Sequence, residues 1–170
     1  MSAADSTKCP KCGGFKKPEF ELCFKCSQQQ RGGGRPGGSR PEAILPPECV
    51  FKSFYGADGY LRPEIFIQSA EKAAKVFEED GMTQTSFRSF FNMLKSMEQR
   101  LRAGTVPQGE VNENFLRFVR QVEYQVKRNV IKDTFKQFVD AHRDVVLSSV
   151  KEFKGFVEYL SSILARLRTK

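Results

Sequence analysis

Thr83-Gln84-Thr85-Ser86-Phe87-Arg88-Ser89-Phe90-Phe91-Asn92-Met93-Leu94-Lys95-Ser96-Met97-Glu98-Gln99-Arg100-Leu101 decides the class of fold. Phe87, Phe90, Phe91, Leu94, Met97 and Leu101 fall at offsets 0, 3, 4, 7, 10 and 14. That is the apolar stripe of an α-helix. Thr83 is placed to cap it, and Gly104, Pro107 and Gly109 interrupt it. The same period recurs on either side. Pro63 suits the first position of a helix whose face is Phe66, Ala70, Ala73, Val76 and Phe77, closed by Gly81. Downstream, Val111, Phe115, Phe118, Val119, Val122 and Val126 mark a third helix. A fourth, from about Lys132, carries Phe135, Phe138, Val139, Val145 and Val146; a last one carries Val150, Phe153, Val157, Leu160, Leu164 and Leu167. Residues 110–147 admit one kinked helix or two meeting near Asn129. No stretch of residues 63–170 alternates with period two. The expected fold is all-α: a compact bundle of about five helices over 63–170, with the Phe-rich faces as its core.

The remainder of the chain differs in kind. Of 170 residues, 28 are Lys or Arg and 20 Asp or Glu, a net charge of +8; 39% are hydrophobic, with 16 Phe and no Trp. Residues 1–41 hold eight of the positive charges and three of the negative ones. Within them, residues 28–41 are rich in Gly and Arg and lack any large apolar side chain, so a flexible tether is expected. Residues 42–62, with Pro46-Pro47 and the Gly56-Ala57-Asp58-Gly59 turn, cannot form a long helix. Their apolar members suggest an arm packed on the bundle. No apolar run approaches the roughly 18 residues of a membrane span. Met1 to Lys8 lacks the apolar core of a secretory signal. A cytoplasmic chain with no membrane contact is expected.

Cys9-x-x-Cys12 and Cys23-x-x-Cys26 are two tight pairs. Each can set two thiolates on one side of a knuckle, and together they complete a tetrahedral sulfur set for one Zn2+. A small zinc ribbon is expected over residues 8–27. Four protein ligands leave no open position, so the metal's role is structural. Lys8, Lys11, Lys16, Lys17 and Lys25 alternate with Phe15, Phe20 and Phe24, a mixture suited either to nucleic acid or to protein docking. Cys49, the unpaired cysteine, reads as a small buried hydrophobe.

No enzyme activity is expected. The chain has no Gly-rich phosphate loop and no nucleophile elbow. His142 is its one histidine and follows Phe135 and Phe138 on the edge of an apolar face, which points to boundary packing. Glu78-Glu79-Asp80 reads as a solvated helix end. The charges that stand out are basic: Arg88, Lys95 and Arg102 at heptad spacing, and Arg117, Arg120, Lys127 and Arg128 on the next helix. Two such stripes on neighbouring helices would make a groove for a phosphate backbone.

Residues 66–103 and 111–168 resemble the small subunit of type III-A (Csm-type) CRISPR effector complexes. The resemblance is carried by Ser69-Ala70-Glu71-Lys72-Ala73-Ala74-Lys75, then Thr83-Gln84-Thr85-Ser86-Phe87-Arg88-Ser89-Phe90-Phe91. Glu123-Tyr124-Gln125-Val126-Lys127-Arg128 and Phe153-Lys154-Gly155-Phe156-Val157-Glu158-Tyr159 follow in the family's order. It implies a non-catalytic bundle, stacked in several copies, that holds the guide RNA–target RNA region alongside backbone subunits. By that analogy Arg88, Lys127 and Arg128 contact RNA phosphates; charge adds Arg120 and Lys95. The four-cysteine ribbon and the tether are additions to the family pattern. Two other readings remain open: a zinc-ribbon adaptor that binds only proteins, and a DNA-binding regulator, both unrelated to CRISPR.

Overall fold

The computed structural model describes residues 8–17, 21–23, 26, 45–104 and 106–168. The tether expected over 28–41, residues 42–44 of the arm, and Phe20, Phe24 and Lys25 lie outside the described residues. The chain divides into two compact units, Met1–Pro41 and Glu42–Lys170.

In the larger unit, two 3-10 turns, Pro47–Cys49 and Pro63–Ile65, precede five α-helices. These are α1 (Gln68–Glu79), α2 (Gln84–Ala103), α3 (Gln108–Lys127), α4 (Asp133–Ser148) and α5 (Val150–Leu164). No strand occurs among the described residues, only isolated bridges at Lys8–Phe15 and Tyr55–Leu61. The unit is all-α.

Local chemistry explains the helix ends. The Thr83 hydroxyl accepts from Ser86 N–H at the start of α2, as its position predicts. Gly81, with φ +84°, closes α1: its N–H reaches the Glu78 carbonyl, and Met82 N–H reaches the Phe77 carbonyl. The two readings of residues 110–147 resolve in favour of two helices. Asn129 takes φ +56°, and Val130 N–H bonds the Gln125 carbonyl while Asn129 N–H bonds that of Val126. This is the same paired-bond closure as at Gly81, with Asn in the left-handed position.

One expectation at the N-terminal end is corrected. Pro63 opens a 3-10 turn, not α1, which begins at Gln68. The irregular backbone at Ile67 (φ −125°, ψ −85°) resets the helical phase between them. Ile65 therefore faces the core, and Phe66 faces solvent.

The centre of the unit is α5, which packs against each of the other four helices. Its buried residues, Phe153, Gly155, Phe156, Val157, Tyr159, Leu160 and Ile163, leave little of its circumference wet. Around it the aromatic residues interlock edge to face. Phe77 meets Phe135 and Phe138 with ring centroids 5.5 and 5.4 Å apart, and Phe115 meets Phe156 at 5.9 Å. Such pairs contribute about 1 kcal/mol each beyond the area they bury.

The arm is held by polar groups of α4 and α5 as much as by its own Phe54, which is fully buried. Glu152 accepts from Phe54 N–H at 2.8 Å and from the Ser53 hydroxyl at 2.6 Å. The Tyr159 hydroxyl donates toward the carbonyls of Cys49 and Ser69, 3.2 and 3.3 Å away. His142 is no boundary residue: it is fully buried, its Nε2 accepts from Phe51 N–H at 3.1 Å, and its Nδ1–H donates to the Phe138 carbonyl at 2.8 Å. These bonds satisfy backbone groups that an irregular buried arm would otherwise leave unpaired. Cys49 is buried, as its sequence context suggests.

Gly155 permits this contact. A Cβ there would lie 2.5 Å from Phe54 Cβ and 3.1 Å from Tyr55 Cε2. Gly155→Ala is expected to destabilise the unit by about 2 kcal/mol through overpacking, read as a lowered denaturation midpoint. Burial also pushes the His142 imidazole down to about 4, against the pull of its bond to the Phe138 carbonyl. As pH falls, the unfolded chain takes up the histidine proton first, so stability declines between about pH 6.5 and pH 4. From pH 7 to pH 5 this share of the loss is about 2 kcal/mol, and His142→Gln should remove it from denaturation curves followed by helical circular dichroism.

Candidate metal centre and nucleic-acid face

In the smaller unit, Cys9 to Gly14 form a tight knuckle. Cys9 N–H bonds the Gly14 carbonyl and Gly13 N–H bonds the Cys9 carbonyl, both at 2.8 Å. Gly13 takes φ +70°, the left-handed conformation the turn requires. The Sγ atoms of Cys9, Cys12, Cys23 and Cys26 lie within 4.8 Å of one another, and Cys12 and Cys23 approach to 3.4 Å. None is in a disulfide. Four sulfurs around a metal at roughly 2.3 Å stand roughly 3.8 Å apart, so this spacing fits a closed four-thiolate site. Bonding to the Cys23 backbone pulls the Cys9 thiol down to about 6; the Cys12 thiol beside it pushes Cys26 up to about 12. The cluster can hold a metal ion. It forms a small core of its own, joined by Leu22.

The basic residues of the larger unit sort into engaged and unengaged groups. Lys95 and Arg102 converge on Glu98, whose side chain is only 1% exposed. Lys95 Nζ lies 2.6 Å from one carboxylate oxygen, and Arg102 donates to the other through Nε at 2.8 Å. Glu158 of α5 stands 3.8 and 3.9 Å from the same two cations. Burial works to raise the Glu98 carboxyl, and the bonds from Lys95 and Arg102 more than offset it, leaving it below its ordinary range. Arg100 pairs with Glu110, and Arg117 with Glu113. Arg88, Arg120 and Lys127 are exposed, with no carboxylate of the described residues in ion-pair range. Arg128 lies over the Tyr124 ring, 5.4 Å from its centroid.

The cleft between α2 and α3 takes in Arg117 from the second basic row but not Lys95 or Arg102 from the first. Toward α3, helix α2 presents Met93, Ser96, Met97 and Arg100, around a cleft of about 250 Å³ completed by Asn114, Arg117 and Phe118. Lys95 and Arg102 run instead down the flank that meets Glu158, and Arg88, one heptad earlier, shares that flank. On α3, Arg117 also meets Arg120 across a second cleft completed by Glu113 and Leu116. Sequence reading missed Glu98 as the hub of the α2 row. Its spacing of three from Lys95 and four from Arg102 was the available signal.

No helix among the described residues is long and apolar enough to cross a membrane. The described residues thus comprise a Phe-cored helical bundle with basic residues on α2 and α3, and a four-thiolate knuckle. The Csm2 type III-A family model matches residues 61–169. The chain belongs to that family, the small subunits of type III-A CRISPR complexes, which are non-catalytic components. The matched segment leaves out the four cysteines and most of the arm. No match to the chain is found among curated proteins or among solved structures.

The thiolate knuckle and the bundle have separate cores. A strong chelator is therefore expected to remove one metal ion per chain, measured by elemental analysis, while the thermal midpoint of the helical signal stays within about 2 °C.

Proposed function

We propose that this chain is a non-catalytic, cytoplasmic RNA-binding subunit of a type III CRISPR antiviral complex. It stabilises the guide RNA–target RNA region, with backbone subunits and further copies of itself as neighbours. The observation that carries this reading is the family match across nearly the whole bundle. Arg88, Arg120, Lys127 and Arg128 are the principal phosphate contacts, because none is bound to a carboxylate of the described residues. Lys95 takes part more weakly, since Glu98 already neutralises much of its charge. The metal of the thiolate knuckle is Zn2+, one per chain and structural, which four soft ligands favour. Residues 8–27 form the ribbon, 28–41 the tether, 42–62 the arm and 63–170 the bundle.

Binding of this kind releases counterions and reads no bases. Affinity for single-stranded RNA should fall steeply with salt and vary little with sequence. Reversing Arg120 and Lys127 together to Glu should weaken binding at least tenfold at low salt. It should also flatten the plot of log affinity against log salt by about 0.7 for each phosphate that is no longer neutralised. Lys95→Glu should have the smaller effect. Unchanged affinity in the double variant, measured by fluorescence anisotropy, would reject the α3 surface as an RNA site.

A further inference from the structure

One flank of α3 has an unusual make-up. Arg120, Tyr124 and Arg128 follow one another at four-residue steps, with Lys127 beside them. Over eight residues they span about 12 Å of helix. Tyr124 keeps 52% of its surface in solvent, and Arg128 covers one side of its ring. Glu123 lies three and four positions from Arg120 and Lys127 on the same helix, but it forms no ion pair with either, and its charge helps keep Lys136 of α4 protonated.

An exposed aromatic ring among cations is poorly suited to docking an apolar protein surface, which would seek several apolar side chains together. It is well suited to a polyanion that also carries flat bases. With one side of the ring taken by the guanidinium, the other is free for a second flat group. A base paired and stacked within a duplex cannot reach it; an unpaired one can.

We propose that Tyr124, backed by Arg128, is a stacking platform for one unpaired nucleobase of the bound RNA, with Arg120 and Lys127 holding the adjacent phosphates. This rests on the RNA-binding reading above and adds to it a contact that electrostatics alone does not supply. The platform tolerates any base, because every base offers a flat face. It distinguishes unpaired from paired RNA.

The full chain has no tryptophan, so Tyr124→Trp introduces a single reporter. Its emission should be quenched when oligo(A) or oligo(U) RNA saturates the protein. Tyr124→Ala should bind the same single strands about tenfold more weakly, with an unchanged salt slope and no change for blunt duplex RNA. Tyr124→Phe should bind as the parent does. Circular dichroism checks that each variant is folded, as an exposed position allows. Unquenched emission at saturation overturns the proposal, as does an equal loss on single strand and duplex from Tyr124→Ala. If the parent chain binds no RNA, both this proposal and the functional reading fall. If it binds and Tyr124→Ala behaves as the parent, the stacking platform alone fails.

Discussion

The fold depends on the near-complete burial of α5. A helix with one apolar stripe needs a single partner; Val150–Leu164 meets all four other helices and the arm. That demands apolar side chains around most of its circumference, one position without a side chain where the arm crosses, and polar groups placed where the arm's backbone needs them. Phe153, Phe156 and Leu160 meet the first demand, Gly155 the second, and Glu152 and Tyr159 the third. Each is met by a different residue type on the same fifteen-residue helix. The other helices are ordinary amphipathic elements whose stripes converge on this axis.

Anchoring the arm has a consequence for the charged surface. With hydrophobic contacts and buried hydrogen bonds carrying the fold, the outer flanks of α2 and α3 are free to be cationic. The molecule uses that freedom unevenly. On α2 it places Glu98 under Lys95 and Arg102, so that two of three heptad-spaced cations are held by a buried anion. On α3 it leaves Arg120 and Lys127 without a carboxylate partner among the described residues and sets Arg128 over an aromatic ring. A count of charges treats the two helices alike; their capacity to meet an external anion differs.

The thiolate knuckle stands apart in chemistry as well as in chain. Its few residues cannot bury enough apolar surface to fold unaided, and a metal ion held by the four thiolates would supply that stability. The bundle gets its stability from packing. The family match covers the second of these alone, residues 61–169.

Much of this was legible in the order of residues alone. Helix existence followed from apolar spacing, because a period near 3.6 leaves only one backbone that gathers those side chains on one face. The Thr83 cap, the Gly81 stop and the four-sulfur set were likewise readable, since each is a short-range geometric requirement. Tertiary structure decided what depends on distant partners. Whether α3 and α4 were one helix turned on a single left-handed Asn129, a conformation Asn can take but need not. Phe66 looked like core until the irregular backbone at Ile67 turned it outward. His142 looked like an edge residue until the arm, ninety-one positions away, brought the Phe51 N–H to it. Lys95 looked like Arg88 until Glu98 and Glu158 met it. Local spacing determines which face a residue occupies; only the folded chain determines what waits opposite that face.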